Sequence, residues 1–202
     1  MVRSRFAVLL VFLFLASAGF AQSNDVAVSF GGTFSPGLRG LPICEAIPVC
    51  PTNPVDRSVD PSLSIEGTYA HRLANFRLAS LHLELPVMFA TSRKTDALSG
   101  SGFSSVFFTP SLKLKLLPSS GVSPFFSAGA GLARFNDNPG SDNRGAFQLG
   151  GGLDFKTRLP LLGFRIEARD FITGRPGIPS FTSITSDHLH NIFVGGGVTL
   201  HF

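Results

Sequence analysis

Apolar and polar residues alternate one by one along most of this chain. In His190–Phe202, Ile192, Val194, Gly196, Val198, Leu200 and Phe202 share one parity, and Asn191, Phe193, Gly195, Gly197, Thr199 and His201 share the other. A period of two marks a strand with one apolar face. The same pattern recurs in Asp25–Phe34, Pro61–Leu73, Phe76–Ala90, Phe103–Leu117, Pro124–Phe135, Gly145–Lys156 and Leu162–Phe171. Pro86 lies inside the third of these and cannot donate a ladder hydrogen bond, so a bulge or bend is expected there. The pattern predicts an all-β fold, an eight-stranded antiparallel up-and-down barrel. The sequence ends on such a strand, and pairing it with the first strand removes an edge that would otherwise template aggregation.

The connections alternate in length. Ser35–Asp60, Thr91–Gly102, Asn136–Arg144 and Ile172–Leu189 read as long loops, whereas Ala74–Asn75, Pro118–Ser123 and Thr157–Leu161 read as turns. Long loops therefore gather at one end. Transmembrane barrels have short periplasmic turns and longer outer loops, which predicts periplasmic termini. Strands of about 9–11 residues also match a tilted bilayer span.

Alternation alone does not say which face is inside. The charged residues help, because Glu66, Glu84, Asp154 and Glu167 share a parity with Lys113, Lys115, Lys156, Arg165 and Arg169. Opposite charges facing a narrow lumen could satisfy one another. Gly129, Gly131, Gly150, Gly152, Gly195 and Gly197 lie on that face and could make room for long basic side chains. Leu83, Leu112, Leu153 and Val198 then face hydrocarbon, where burial of apolar surface is worth about 25 cal/mol per Å². The opposite assignment is a soluble, lipocalin-like binder with its charges in water. It lacks the helix that lipocalins place after the barrel.

Composition adds a destination. MVRSRFAVLLVFLFLASAGFAQ has basic Arg3 and Arg5, an apolar run from Phe6 to Leu15, and small Gly19 and Ala21 before Gln22. This is the form of an export signal, giving a signal peptide over residues 1–21 and a barrel domain over 22–202. The excess of bases over acids, 17 to 13, halves once Arg3 and Arg5 leave. No basic cluster with interleaved aromatics suggests nucleic acid. Phenylalanine is abundant at 21 residues, while Trp is absent and Tyr69 is the single tyrosine, so interfacial aromatics must be almost all Phe. Cys44 and Cys50 lie in one loop, where an exported chain could form a disulfide.

With Phe202 preceded by Leu200, Val198 and Val194 at alternate positions, the chain resembles the small eight-stranded outer-membrane β-barrel proteins of Gram-negative bacteria, near the OmpA transmembrane domain and OmpX types. The resemblance spans Asp25–Phe202. It implies a bacterial outer-membrane location, contact with outer-membrane lipid, and reading of Phe202 by the barrel-assembly machinery. Gly196 stands where that family's terminal signal usually carries a large residue. A fused periplasmic wall-binding domain is not expected.

Function is expected to be structural or surface-interacting, non-enzymatic and monomeric, with no cofactor, metal or catalytic residue. An eight-stranded barrel is just wide enough to be filled by side chains, so at most a narrow pore for ions or small solutes is the alternative. A lipid-modifying enzyme is another, with Asp187, His188, His190 and Ser183 or Ser186 as the residues to place. The same histidines could hold a metal only with a further ligand. Loops 35–60 and 172–189 carry Leu41, Ile43, Ile47, Val49, Ile178, Phe181 and Ile184, which could cover the barrel mouth or meet an extracellular partner.

Overall fold

The fold is that of a computed structural model, which describes residues 24–41, 53, 55–94, 102–138, 140–159, 161–181 and 184–202. The expected signal peptide and the Cys44–Cys50 pair lie outside these residues. The barrel staves are β1 (Asn24–Phe34), β4 (Ser62–Asn75), β5 (Ala79–Lys94), the interrupted stave β6 (Gly102–Phe108) with β7 (Ser111–Leu116), β8 (Val122–Asp137), β9 (Ser141–Lys156), β10 (Leu162–Gly174) and β11 (His188–His201). Each pairs antiparallel with its neighbours in sequence. β1 also pairs with β11, from Asp25 opposite His201 to Phe34 opposite Ile192, which closes the cylinder. Asn24 and Phe202 extend this seam by exchanging backbone hydrogen bonds of 2.9 Å each.

The eight expected strands are present, and the two faces fall as their polarity requires. Leu83, Leu112 and Val198 are exposed on the outside, while Glu84, Lys113 and Thr199 are buried. An outer wall of Leu, Ile, Val and Phe around a polar interior is the reverse of a soluble barrel and suits a hydrocarbon surround.

Three local expectations change. Pro86 makes no bulge against β4, since the register runs unbroken through the Thr68–Pro86 pair. The consequence appears on the opposite edge. Glu84 pairs with Ser111 and Val87 with Phe108, so Leu85 comes opposite Pro110 and Pro86 opposite Thr109, and the ladder lapses there. Two prolines without N–H groups meet at one gap, and the stave breaks into β6 and β7. Second, Asn136–Arg144 is not an open loop. The strands pair up to Asn136 opposite Ser141, leaving a connection of 138–140. Beyond the exposed Leu132 and Phe147 the hairpin leaves the apolar belt. Polar strand residues have water there, so turn-forming composition does not end the ladder. The strict alternation of long and short connections fails at this hairpin. Third, the loop after β1 carries its own small ladder, β2 (Leu38–Gly40) with β3 (Val55–Arg57), and Gly40 bridges to Ile184 in the loop before β11. The two long loops thus fold onto each other at the mouth.

The broken stave lies very close to β8. A Cβ at Gly131 would sit 2.0 Å from the Phe108 carbonyl oxygen and 2.8 Å from Thr109 Cα, whereas one at Gly67 would meet nothing within 4 Å. Gly131→Ala is therefore expected to cost about 1–3 kcal/mol, the usual scale of overpacking, and Gly67→Ala to be near neutral. Unfolding midpoints of the two variants in detergent check this; equal midpoints would contradict it.

Candidate functional site

β5 samples the whole lumen. From the turn end upward its inward residues are Ser80, His82, Glu84, Pro86, Met88, Ala90 and Arg93, all buried. Three zones correspond to these: a polar mouth at the turn end, an ion-paired middle, and an aromatic plug at the loop end.

The middle zone joins four carboxylates to four cations. Arg169 reaches Glu66 at 3.0 Å, Glu84 at 2.8 Å and Glu167 at 2.8 Å. Arg165 lies 2.7 Å from Asp154 and 3.5 Å from Glu84. Lys113 sits between Glu84 at 3.6 Å and Asp154 at 3.4 Å, and Lys115 meets Asp154 at 3.0 Å. Hydroxyls occupy further lone pairs: Ser29 Oγ donates to Glu167 at 2.5 Å and Thr68 Oγ1 to Glu66 at 3.0 Å. Phe125 supplies a ring face to Lys113 Nζ at 4.0 Å and to the Arg165 guanidinium at 4.9 Å, a cation–π arrangement favoured in a desolvated site. Gly150 makes the fit possible, since a Cβ there would stand 2.8 Å from Arg169 Cγ. Lys156 is the exception among the lumen charges expected from sequence. It is exposed at the turn-end rim and donates to the Pro118 carbonyl, outside these ion pairs.

The plug is the part that hydrophobic patterning missed. Phe103, Phe107, Phe135, Phe171 and Phe193 point inward, and Ile178, Phe181 and Ile184 of the last loop descend onto them. Phe181 meets Phe103 edge-on at 4.9 Å between centroids, and Phe107 lies 4.9 Å from Phe171. Large apolar residues are thus not confined to the outer wall. The signal was parity: Phe103 and Phe107 share it with Lys113, and Phe171 shares it with Arg169. Ile178, Phe181 and Ile184 are buried in the mouth rather than presented to a partner. Arg93 lies within this zone. It donates to Ser35 Oγ at 3.0 Å, Ser105 Oγ at 2.9 Å and Asn191 Oδ1 at 3.0 Å, and it covers the Phe103 ring.

The last loop is pinned by the β8–β9 hairpin. Ser180 donates from its backbone N–H (3.0 Å) and its hydroxyl (2.6 Å) to Asp137 Oδ2, and the Gly177 N–H donates to Asp142 Oδ2 at 2.6 Å. That backbone donor, with Arg144 beside it, holds the Asp142 carboxyl below the usual carboxylate range.

The residues weighed for catalysis do not converge. His190 Nδ1 is 2.7 Å from Asp170 Oδ2 on the outer wall, not beside Asp187. Ser186 Oγ accepts from the Arg39 backbone N–H at 2.8 Å, and His188 is exposed. Ser183 lies outside the described residues. No group of three or more His, Cys, Asp or Glu fit for a metal ion occurs among the described residues.

The chain matches no family profile and no curated protein. Among solved structures, Neisserial surface protein A aligns over 89% of this chain and 97% of its own, with TM-score 0.54 and 11% identity. The outer membrane protein OprG from Pseudomonas aeruginosa aligns over 90% and 98%, with TM-score 0.49 and 12% identity. The outer membrane protease OmpT from Escherichia coli aligns over 89% and 97%, with TM-score 0.44 and 9% identity. The likeness to Neisserial surface protein A, at 11% identity, shows the fold alone, that of an outer-membrane barrel, and leaves the chemistry to this chain's own residues.

Two outcomes are expected. Glu84→Ala removes a carboxylate shared by Arg169, Arg165 and Lys113 and leaves the buried set with one positive charge in excess, which should cost about 3–5 kcal/mol, as for a broken buried pair. Asp56→Ala removes only the 4.0 Å surface contact with Arg39 and should fall within about 1 kcal/mol. Denaturant midpoints distinguish them. Asp142 has a lowered pKa in the fold, so its contribution is present above the unfolded value of about 3.9 and is lost as pH falls through the lower folded value. The Gly177 amide resonance should move with that titration, and in Asp142→Asn the movement should vanish.

Proposed function

We propose that this protein is a non-enzymatic barrel of the bacterial outer membrane, closed to solutes, whose role is structural in the envelope or at its surface. The carrying observation is the filling of the lumen from its ion-paired middle to its loop end. Every layer from Asp154 and Lys113 up to Phe103 and Phe181 is buried, and each cation in the ion-paired zone faces a carboxylate. A conducting pore needs a water path, and the charges that could line one are committed to each other. An enzyme needs a nucleophile, base and orienting group within reach, and Asp187, His188, His190 and Ser186 are spread over loop and outer wall.

In this reading the loop end faces outward and both termini face the periplasm. Support comes from the β8–β9 hairpin, which carries Arg134 and Asn143 beyond the apolar belt. Phe202, paired with Asn24 at the seam, serves as the assembly signal. Partners are outer-membrane lipid around the wall, the assembly machinery, and an extracellular surface met through loops 35–60 and 172–189, where Leu41 and Val55 are exposed.

Reconstitution in planar bilayers tests the central point. Wild type should give a flat baseline, and large, steady, reproducible steps would overturn the reading. Phe181→Ala should also stay closed, because the ion-paired layer beneath the plug is untouched.

A further inference from the structure

The lumen is open at its turn end. A cavity of about 230 Å³ lies there, reached between the Pro118 turn and the Thr157–Leu159 turn. Its walls carry three cationic side chains, Arg72, Lys115 and Lys156, and one carboxylate, Asp25. That carboxylate is already engaged with His201, Asp25 Oδ1 lying 2.7 Å from His201 Nδ1. Lys115 is shared with Asp154 at 3.0 Å, but Asp154 also answers Arg165 and Lys113. With Lys115 counted in the balanced zone above, Arg72 and Lys156 against Asp25 still leave one more cation than carboxylate on the cavity wall.

A second observation points the same way. His82 is 5% exposed and lines the cavity. Its Nε2 pairs with Ser80 Oγ at 2.9 Å, while its Nδ1 has no protein partner. Buried ring nitrogens without a partner are uncommon and costly. A ligand with several oxygens that drew the His82 ring a little toward the cavity would satisfy that enclosed nitrogen, while its outer oxygens accept from the basic side chains of the wall.

We propose that the turn-end cavity is a binding site for a phosphate group. Lys156 and Arg72 at the rim attract it, Lys115 fixes its depth, and Ser80 and His82 contact its inner oxygens. The site needs neither a conducting lumen nor a closed one, so it stands apart from the structural role given above. The group could belong to a free phosphate compound or to a lipid headgroup folded over the rim. The inward placement of Ser80, His82 and Lys115 favours the soluble source.

The test is titration of the refolded full chain with inorganic phosphate in a phosphate-free, non-ionic detergent, read by histidine ring resonances. Saturable movement of His82 and His201, with His188 and His190 at the far end unmoved, is the expected result. Lys156→Ala and Arg72→Ala should each weaken binding about tenfold, as expected for loss of one charge-assisted contact, and Lys156→Arg should restore most of it. No saturation, saturation that survives the Lys156→Ala, Arg72→Ala double variant, or movement confined to His188 and His190 would overturn the proposal. Thermal unfolding of the same variants without phosphate shows that they remain folded. In phospholipid nanodiscs, continued competition-free binding assigns the site to soluble phosphate. Histidine resonances already displaced before any addition, and reverting in Lys156→Ala, assign it to a headgroup.

Discussion

Four acids and four bases share the middle of a cylinder too narrow to hold bulk water, and the rest of the structure is arranged around that fact. A charge moved from water into such a space carries a penalty of several kcal/mol unless it is met by an opposite charge and its remaining hydrogen-bonding sites are filled. Arg169 illustrates the solution, with three carboxylates around one guanidinium. No member of the set is tolerable alone, so the pairing ties β4, β5, β7, β9 and β10 to one another through the lumen as well as through their ladders. Hydroxyls from Ser29 and Thr68 extend the tie to β1 and within β4.

The remaining length of the lumen is filled by a different chemistry. Phenylalanine needs no polar partner, and the loop that supplies Phe181 can therefore enter the barrel with little demand on its surroundings. Its backbone is served from outside the plug, by Asp137 and Asp142 of the β8–β9 hairpin. The extended hairpin and the descending loop are one device: the first rises beyond the apolar belt and holds the second down. Arg93 is the one cation set among these aromatics. It is accommodated by neutral oxygens and a ring face, and among the described residues no carboxylate answers it.

Seen this way, the barrel is polarised along its axis. It is sealed by apolar packing at the loop end, locked by charge in the middle, and open and basic at the turn end. The lipid-facing wall carries none of this polarity, which is why the outer surface alone identifies a setting and not an activity.

The alternation of side chains is a local property, since successive Cβ atoms point to opposite faces of any strand. Strand number, facing and the segregation of Glu84, Lys113, Asp154, Arg165 and Arg169 from Leu83 and Leu112 were therefore readable from the chain alone. What pairs with what was not, because Glu84 and Arg169 stand 85 positions apart and meet only through the stagger of a closed sheet. Lys156 has the right parity and the wrong height, and parity carries no information about height. Phe103, Phe107 and Phe171 had the inward parity too, but an apolar residue suits lipid and a dry lumen equally well. Only closure, which decides where water is excluded, settles between the two. The hairpin at Asn136–Arg144 follows the same logic: its composition favours a turn, yet the β8–β9 ladder already in register carries it on as strand, because local preferences of about 1 kcal/mol or less yield to neighbours that only the tertiary structure supplies.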